Sequence, residues 1–414
     1  MSENTVANQS KPSHAHTRQA NLELLRCVAM MMVIVLHYLG KGNLLVSLDE
    51  EYVEGLYPAE YVAWLLESFC IVAVNVYMFI SGYFLCTSSF KPSRLVQLWL
   101  QVWMYSVAFG LIGALTGVME ETAFDTHFLL TLIFPVAMNH YWFMTAYIFL
   151  YVLLPFLGSA VQRMTKRQLQ IAALLLLFVF SVQKSVLPVQ LETDGLGYDC
   201  LWYVCVFVAA AYVRRFGVPF LEKKGRGIVL YVVCSLLIFG GTFGLRQVYL
   251  KTGRLERMIK MCMAYNHILP FLAAVGLFCA FRRLKVSGKF AAFVCKIAPY
   301  TLGVYLLHEN LGLRYTWQNW LGADKLLKPV PVLPYMSSLG RLRLGDSVVG
   351  LLLHVAAAVV CVFTVGILVD MLRAMLGRGL DRILSVLPPY SRLKGFVLGL
   401  DQRFREGEPQ NGRV

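Results

Sequence analysis

Two residues in the first apolar segment, Arg26 and His37, are of types that do chemistry and stand at a spacing that lets them do it together. Eleven steps of about 100° bring a helix back to nearly the same face, about 16 to 17 Å further along. One side of that helix would therefore carry a guanidinium towards one membrane surface and an imidazole towards the other. A guanidinium stays charged at any working pH and can hold an anionic group, such as a phosphate of a cofactor arriving from the cytosol. An imidazole, with an unperturbed pKa near 6.5, can act as a general base on a hydroxyl. The blander alternative also fits the spacing: Arg26 reaching to the inner headgroups beside Glu23, with His37 resting at the outer interface.

Further ionisable residues fall in apolar stretches, where such groups are costly and become functional candidates. His37, Glu67, Arg246, His308, Glu309 and His354 all fall towards the outer halves of their segments. His308 could hydrogen-bond His37 or orient an acceptor, or simply satisfy a neighbouring helix. Glu67 or Glu309 could orient the His37 imidazole and raise its basicity, or stand as interfacial charges in contact with water. Ser81-Gly82 reads as a close-packing pair rather than a nucleophile, and Asn75 as a bond across helices or a channel lining. Tyr141, Trp142 and Phe143 beside His140 read first as an outer aromatic belt, with stacking on a sugar as the sharper alternative. The ten cysteines show no CxxC pair and no zinc-like spacing, so they are read as core packing and no metal is expected.

The elements that must hold these residues are membrane helices. Of 414 residues 58% are hydrophobic and only 15% charged, more apolar surface than a soluble fold can hide. Repeated runs of about 17 to 25 apolar residues match a hydrocarbon slab about 30 Å thick, in which helices satisfy their own backbone groups. The spacing predicts an all-α polytopic membrane protein of about ten transmembrane helices near 21–39, 61–85, 93–118, 141–159, 168–187, 199–214, 228–249, 264–281, 293–312 and 347–372. A further stretch, 127–138, is too short to cross and is read as re-entrant or interfacial. The net charge of +14 is spread over short connections rather than gathered on a soluble face, which favours membrane orientation over nucleic-acid binding. Inner loops hold Arg163-Lys166-Arg167, Arg214-Arg215 and Arg282-Arg283-Lys285, whereas the first outer loop holds Asp49, Glu50, Glu51 and Glu54. Both termini are expected in the cytoplasm: a flexible tail at 1–20 without a cleaved signal, a membrane domain at 21–376, and a basic amphipathic tail at 377–414.

The run Asn21-Leu22-Glu23-Leu24-Leu25-Arg26 through Leu36-His37-Tyr38 resembles the opening of the acyltransferase family 3 membrane proteins, whose first helix carries an Arg and a His with ten residues between them. Val74 to Leu85, ending in Ser-Gly-Tyr-Phe-Leu, is similar to the family's second-helix segment. Tyr141-Trp142-Phe143 with Tyr147, Tyr151 and Pro155 resembles its Trp-Phe helix, and Gly303 to Asn310 its late Tyr-Leu-x-His segment. The resemblance implies an integral membrane O-acyltransferase. Such an enzyme takes an acyl group, usually acetyl, from cytoplasmic acyl-CoA and places it on a hydroxyl of an envelope or exported polysaccharide. By that likeness Arg26 is a cofactor-binding residue and His37 the catalytic one, with His308, Glu67 and Glu309 as further candidates read from position. The expected partners are the lipid bilayer, acyl-CoA, a glycan acceptor and polysaccharide biosynthesis or export proteins, in a bacterial cytoplasmic membrane. The rival class is a transporter of a glycan precursor or small polar solute, in which the same intramembrane charges line a pathway.

Overall fold

The computed structural model describes residues 19–52, 55–117, 125–187, 195–327 and 347–406. Nearly all of the tail expected at 1–20, and the end of the chain after 406, lie outside the described residues. Helices follow one another along the chain: α1 (Ala20–Lys41), α2 (Pro58–Cys70), α3 (Ala73–Leu85), α4 (Pro92–Leu115), α5 (Thr126–Ile133) and α6 (Trp142–Arg163). α7 (Lys166–Leu177) passes through a π turn at Phe178–Val182 into α8 (Gln183–Val186), followed by α9 (Cys200–Phe216) and α10 (Arg226–Thr252). The remaining elements are α11 (Ile268–Arg282), α12 (Gly288–Ile297), α13 (Thr301–His308), α14 (Trp317–Trp320), α15 (Ala323–Leu327), α16 (Val348–Leu384) and α17 (Pro388–Glu406).

Among the described residues, nine stretches are long and apolar enough to cross a membrane. α9, with 17 residues, stands at the short end of the spanning range and accounts for the tenth segment expected from the sequence. The protein is an all-α polytopic membrane protein. Its outward surface is apolar: Leu174, Leu175 and Phe178 on the α7 segment and Leu353, Val360 and Leu368 on α16 are exposed, as side chains facing lipid must be. α1 is the central helix. Leu22, Leu25, Ala29, Ile34 and Leu39 are almost fully covered, and the helix packs against α2, α3, α11, α12 and α16.

Three of the expected spans differ in detail, each for a local reason. The 61–85 span is broken at Ile71–Val72 into α2, which packs on α10, and α3, which packs on α9, so each half follows its own neighbour. The 293–312 span is interrupted by a 3-10 turn at Ala298–Tyr300, where Pro299 has no N–H for the helical ladder, and its helix ends at His308. α16 continues without a break through 377 to Leu384, past the domain boundary drawn at 376. Its 37 residues span about 55 Å, far more than the hydrocarbon layer needs. The short 127–138 stretch forms α5, eight residues or about 12 Å long, too short to cross. Its start is set by the Asp125 carboxylate, which accepts from Phe128 N–H at 2.7 Å.

Candidate active site

The period of α1 places Arg26, Met30, Val33 and His37 along one stripe, and all four line one cavity of about 320 Å³ in the protein interior. α3 contributes Tyr77 and Ser81, α4 Arg94 and Gln101, and α6 Trp142 and Phe143. The Pro299 interruption brings Thr301 and Tyr305 to the same space. Ser81 and Gly82 divide their labour. Ser81 faces the cavity, whereas a Cβ on Gly82 would lie 3.0 Å from Ala210 Cβ and Phe207 Cα, so the glycine is what lets α3 and α9 touch.

His37 stands at the meeting of α1 with the end of α13. Its Nδ1 lies 2.9 Å from His308 Nε2 and 3.2 Å from Glu309 Oε1. The direction of these bonds follows from the far side of His308, whose Nδ1 lies 2.6 Å from the Val304 carbonyl oxygen. A carbonyl only accepts, so His308 carries its proton on Nδ1 and offers a lone pair at Nε2. His37 therefore donates from Nδ1, its proton held between His308 and the Glu309 carboxylate. The neutral ring keeps its lone pair on Nε2, which makes no hydrogen bond among the described residues, while the side chain faces the cavity. This is the arrangement a general base requires: one nitrogen oriented and the other free.

Glu309 is 6% exposed and also binds a cation, the Lys41 ammonium, through Oε1. Lys41 lies one turn beyond His37 on α1 and also sits over the Tyr315 ring, 5.4 Å from its centroid. Two ring nitrogens and a carboxylate within 4.8 Å of one another could also hold a metal ion. Here, however, the two imidazoles bond to each other directly, and the carboxylate oxygen is shared with an ammonium. A metal would have to part the first pair and lie beside the second charge, so the geometry favours a hydrogen-bonded relay.

At the other end of the cavity Arg26 bonds Glu23 through Nη1 alone, at 3.3 Å to each carboxylate oxygen. Its other donors have no partner among the described residues, and the side chain is 30% exposed. Arg26 thus pairs with Glu23 and also lines the cavity. Tyr77 donates from its hydroxyl to the Arg26 carbonyl oxygen at 2.7 Å, tying α3 to α1 at this level. Arg94 adds a second guanidinium to the lining.

Of the sequence candidates, the structure brings together His37, His308 and Glu309, and sets Arg26 on the same cavity. Glu67 stands apart on α2 and makes no hydrogen bond to His37; its Oε2 is buried and unpartnered among the described residues. Arg246 donates to the Glu50 carbonyl oxygen at 3.1 Å, and His354 is half-buried on α16. Asn75 bonds across helices, donating to the Tyr265 carbonyl oxygen at 2.7 Å and accepting from Trp202 Nε1 at 2.9 Å.

The belt reading of Tyr141 to Phe143 is corrected. Tyr141 is 1% exposed, donates to the Leu306 carbonyl oxygen and accepts from Asn310 Nδ2, while Trp142 and Phe143 turn into the cavity. Their composition matches a membrane belt, but hydrogen bonds to α13 and its following turn draw them inward. Sequence reasoning missed Lys41, Arg94 and Asp370. Asp370 is fully buried on α16, accepts from Tyr105 at 2.9 Å and Gln101 at 3.2 Å, and pairs with Arg373 at 2.5 Å. An acidic and a basic residue three apart within an apolar run were the available signal.

In this all-α membrane protein one cavity is lined both by two guanidiniums and by an oriented imidazole, the parts that a transfer between two substrates would use. Its family follows from comparison: the acyltransferase family 3 model, described as an acyltransferase domain, matches residues 19–371, and the chain belongs to that family. It is a membrane-bound acyltransferase. Curated proteins and solved structures gave no match.

Proposed function

We propose that this acyltransferase moves an acyl group, acetyl in the simplest case, from cytoplasmic acyl-CoA to a hydroxyl of a cell-envelope or exported polysaccharide. The host membrane is read as a bacterial cytoplasmic membrane. The observation that carries the reading is the single cavity shared by Arg26 and His37. A two-substrate transfer needs an anion-holding end for the cofactor and a base where the hydroxyl arrives.

Acyl-CoA docks with its phosphates at Arg26 and Arg94, and its thioester reaches along the α1 stripe towards His37. The Nε2 lone pair takes the hydroxyl proton as the oxygen attacks the thioester carbonyl. The C–S bond breaks, and the thiolate leaving as CoA takes up a proton. The imidazolium formed is stabilised by Glu309, which already accepts from Nδ1. Transfer is direct from thioester to hydroxyl, with acylation of His37 itself the less favoured route. A transporter using the same charges is the rival, and the match to an acyltransferase family model favours the enzyme.

The test is ester analysis of the surface glycan from cells carrying the wild-type chain or His37→Ala, with insertion checked by membrane fractionation. Loss of one ester in the variant supports the reading. An unchanged ester content removes His37 from the chemistry.

A further inference from the structure

From the His37 relay an unbroken succession of aromatic rings leads away from the basic end of the cavity. Tyr305 lies 6.1 Å from His308 between ring centroids, and Phe143 5.8 Å from Tyr305. Trp142 follows at 6.1 Å from Phe143, with Tyr265 stacked on it at 5.7 Å and 19°. Tyr198 closes the outer end, 4.4 Å from Trp142 and 4.9 Å from Tyr265. The succession starts at a ring 48% exposed and ends beside a buried imidazole.

Its outer ring is seated by a tight turn. Leu196 and Gly197 both have positive φ, 57° and 84°, and Tyr198 N–H donates to the Gly195 carbonyl oxygen at 2.8 Å, the pattern of a type I′ turn. A Cβ on Gly197 would lie 2.8 Å from Tyr265 Cβ and from Asn266 N, so this position requires glycine for both space and conformation. Tyr265 is held from behind by the Asn75 and Trp202 bonds. Residues from α3, α6, α9 and two loops are thus spent on placing rings.

We propose that these rings are the acceptor's track, along which the pyranose rings of the polysaccharide acceptor named above pass from Tyr198 to Tyr305 to present a hydroxyl to His37. This rests on the reading of His37 as the transfer base. A pyranose ring offers a rigid face of polarised C–H groups that matches the negative face of an aromatic ring, and hydroxyls at its rim that match tyrosine hydroxyls. The cavity's two arginines, Arg26 and Arg94, belong to the cofactor end, so the track suits a neutral sugar.

The experiment uses the full chain in lipid nanodiscs with acetyl-CoA. The acceptors are methyl glucoside, galactoside, mannoside and rhamnoside, with glycerol as a flexible polyol lacking a ring face. Tyr198→Ala, Gly197→Ala and Trp142→Leu are expected to raise the KM of the preferred pyranoside about three- to tenfold, the value of an aromatic contact. The KM for acetyl-CoA should stay unchanged. Trp142→Phe, which keeps a ring, should recover most of the loss and guards against misfolding of the Leu variant. The track is overturned if Tyr198→Ala and Trp142→Leu leave acceptor KM at the wild-type value, or if glycerol is acetylated as well as the best pyranoside. Absence of His37-dependent transfer to any acceptor would instead bring down the underlying assignment, and the track with it.

Discussion

Replacing Glu309 with Gln keeps the shape of the relay but removes the charge that faces the His37 Nδ1–H at 3.2 Å. In the resting enzyme that bond runs from a neutral ring to a carboxylate. When Nε2 takes the acceptor's proton, it becomes a bond from an imidazolium to a carboxylate, and only this strengthening lowers the barrier. Charge-assisted bonds contribute about 1.5–3 kcal/mol, so Glu309→Gln should lower kcat about 10- to 150-fold. The KM for acyl-CoA should be unaltered, since the cofactor's arginines stand at the other end of the cavity. His308→Phe removes only a neutral acceptor at 2.9 Å and should cost about two- to tenfold.

The Lys41 ammonium shares the same carboxylate oxygen, so Lys41→Met on top of Glu309→Gln should add little to the loss from Glu309→Gln alone. The assay is single-turnover acetyl transfer with purified protein, with thermal unfolding in parallel to confirm that each variant is folded. A Glu309→Gln enzyme within twofold of wild-type kcat, or a His308→Phe loss exceeding that of Glu309→Gln, would refute the relay as drawn.

Arg26→Ala should raise the KM for acyl-CoA tenfold or more, and Arg26→Lys should restore only part of it, because a point charge replaces a planar fork; steady-state kinetics over cofactor concentration decides. Gly303→Ala should lower the unfolding midpoint in detergent. The new Cβ would fall 2.3 Å from Asp370 Cβ where α13 crosses α16, an overpacking worth about 1–3 kcal/mol. Activity should survive dialysis against a strong chelator, since His37, His308 and Glu309 are engaged with one another and with Lys41; loss restored by one added metal would revive the metal reading. Transfer should fall on acidification as His37 takes up a proton and loses its lone pair, and a rate that rises towards acid would contradict a histidine base.

What was legible in the chain was whatever a single helix encodes. The interval from Arg26 to His37 sets both on one stripe by helical period alone, and the structure has both on one cavity. The apolar runs marked the spans, and the brevity of 127–138 marked α5. What was hidden depended on partners far away in sequence. Trp142 and Phe143 have a belt's composition, and only the bonds of Tyr141 to Leu306 and Asn310, more than 160 residues on, show that this segment faces inward. Lys41 gave no signal of its own, because its partner Glu309 lies far along the chain. The break at Ile71–Val72 carries no proline and reflects the different neighbours of α2 and α3. Pro299, by contrast, was readable as an interruption.

The last described helix reaches back to the head of α4, beside Arg94. Asp401 on α17 accepts from Ser93 N–H at 2.9 Å and from its hydroxyl at 2.6 Å, capping the head of α4 one residue before Arg94, while Phe404 packs on Phe90. A surface tail read from composition is therefore also a brace for the helix that carries Arg94 to the cavity. Shortening the protein ahead of Asp401, as is often done to tidy a terminus for purification, would uncap that helix and loosen a guanidinium of the cavity wall.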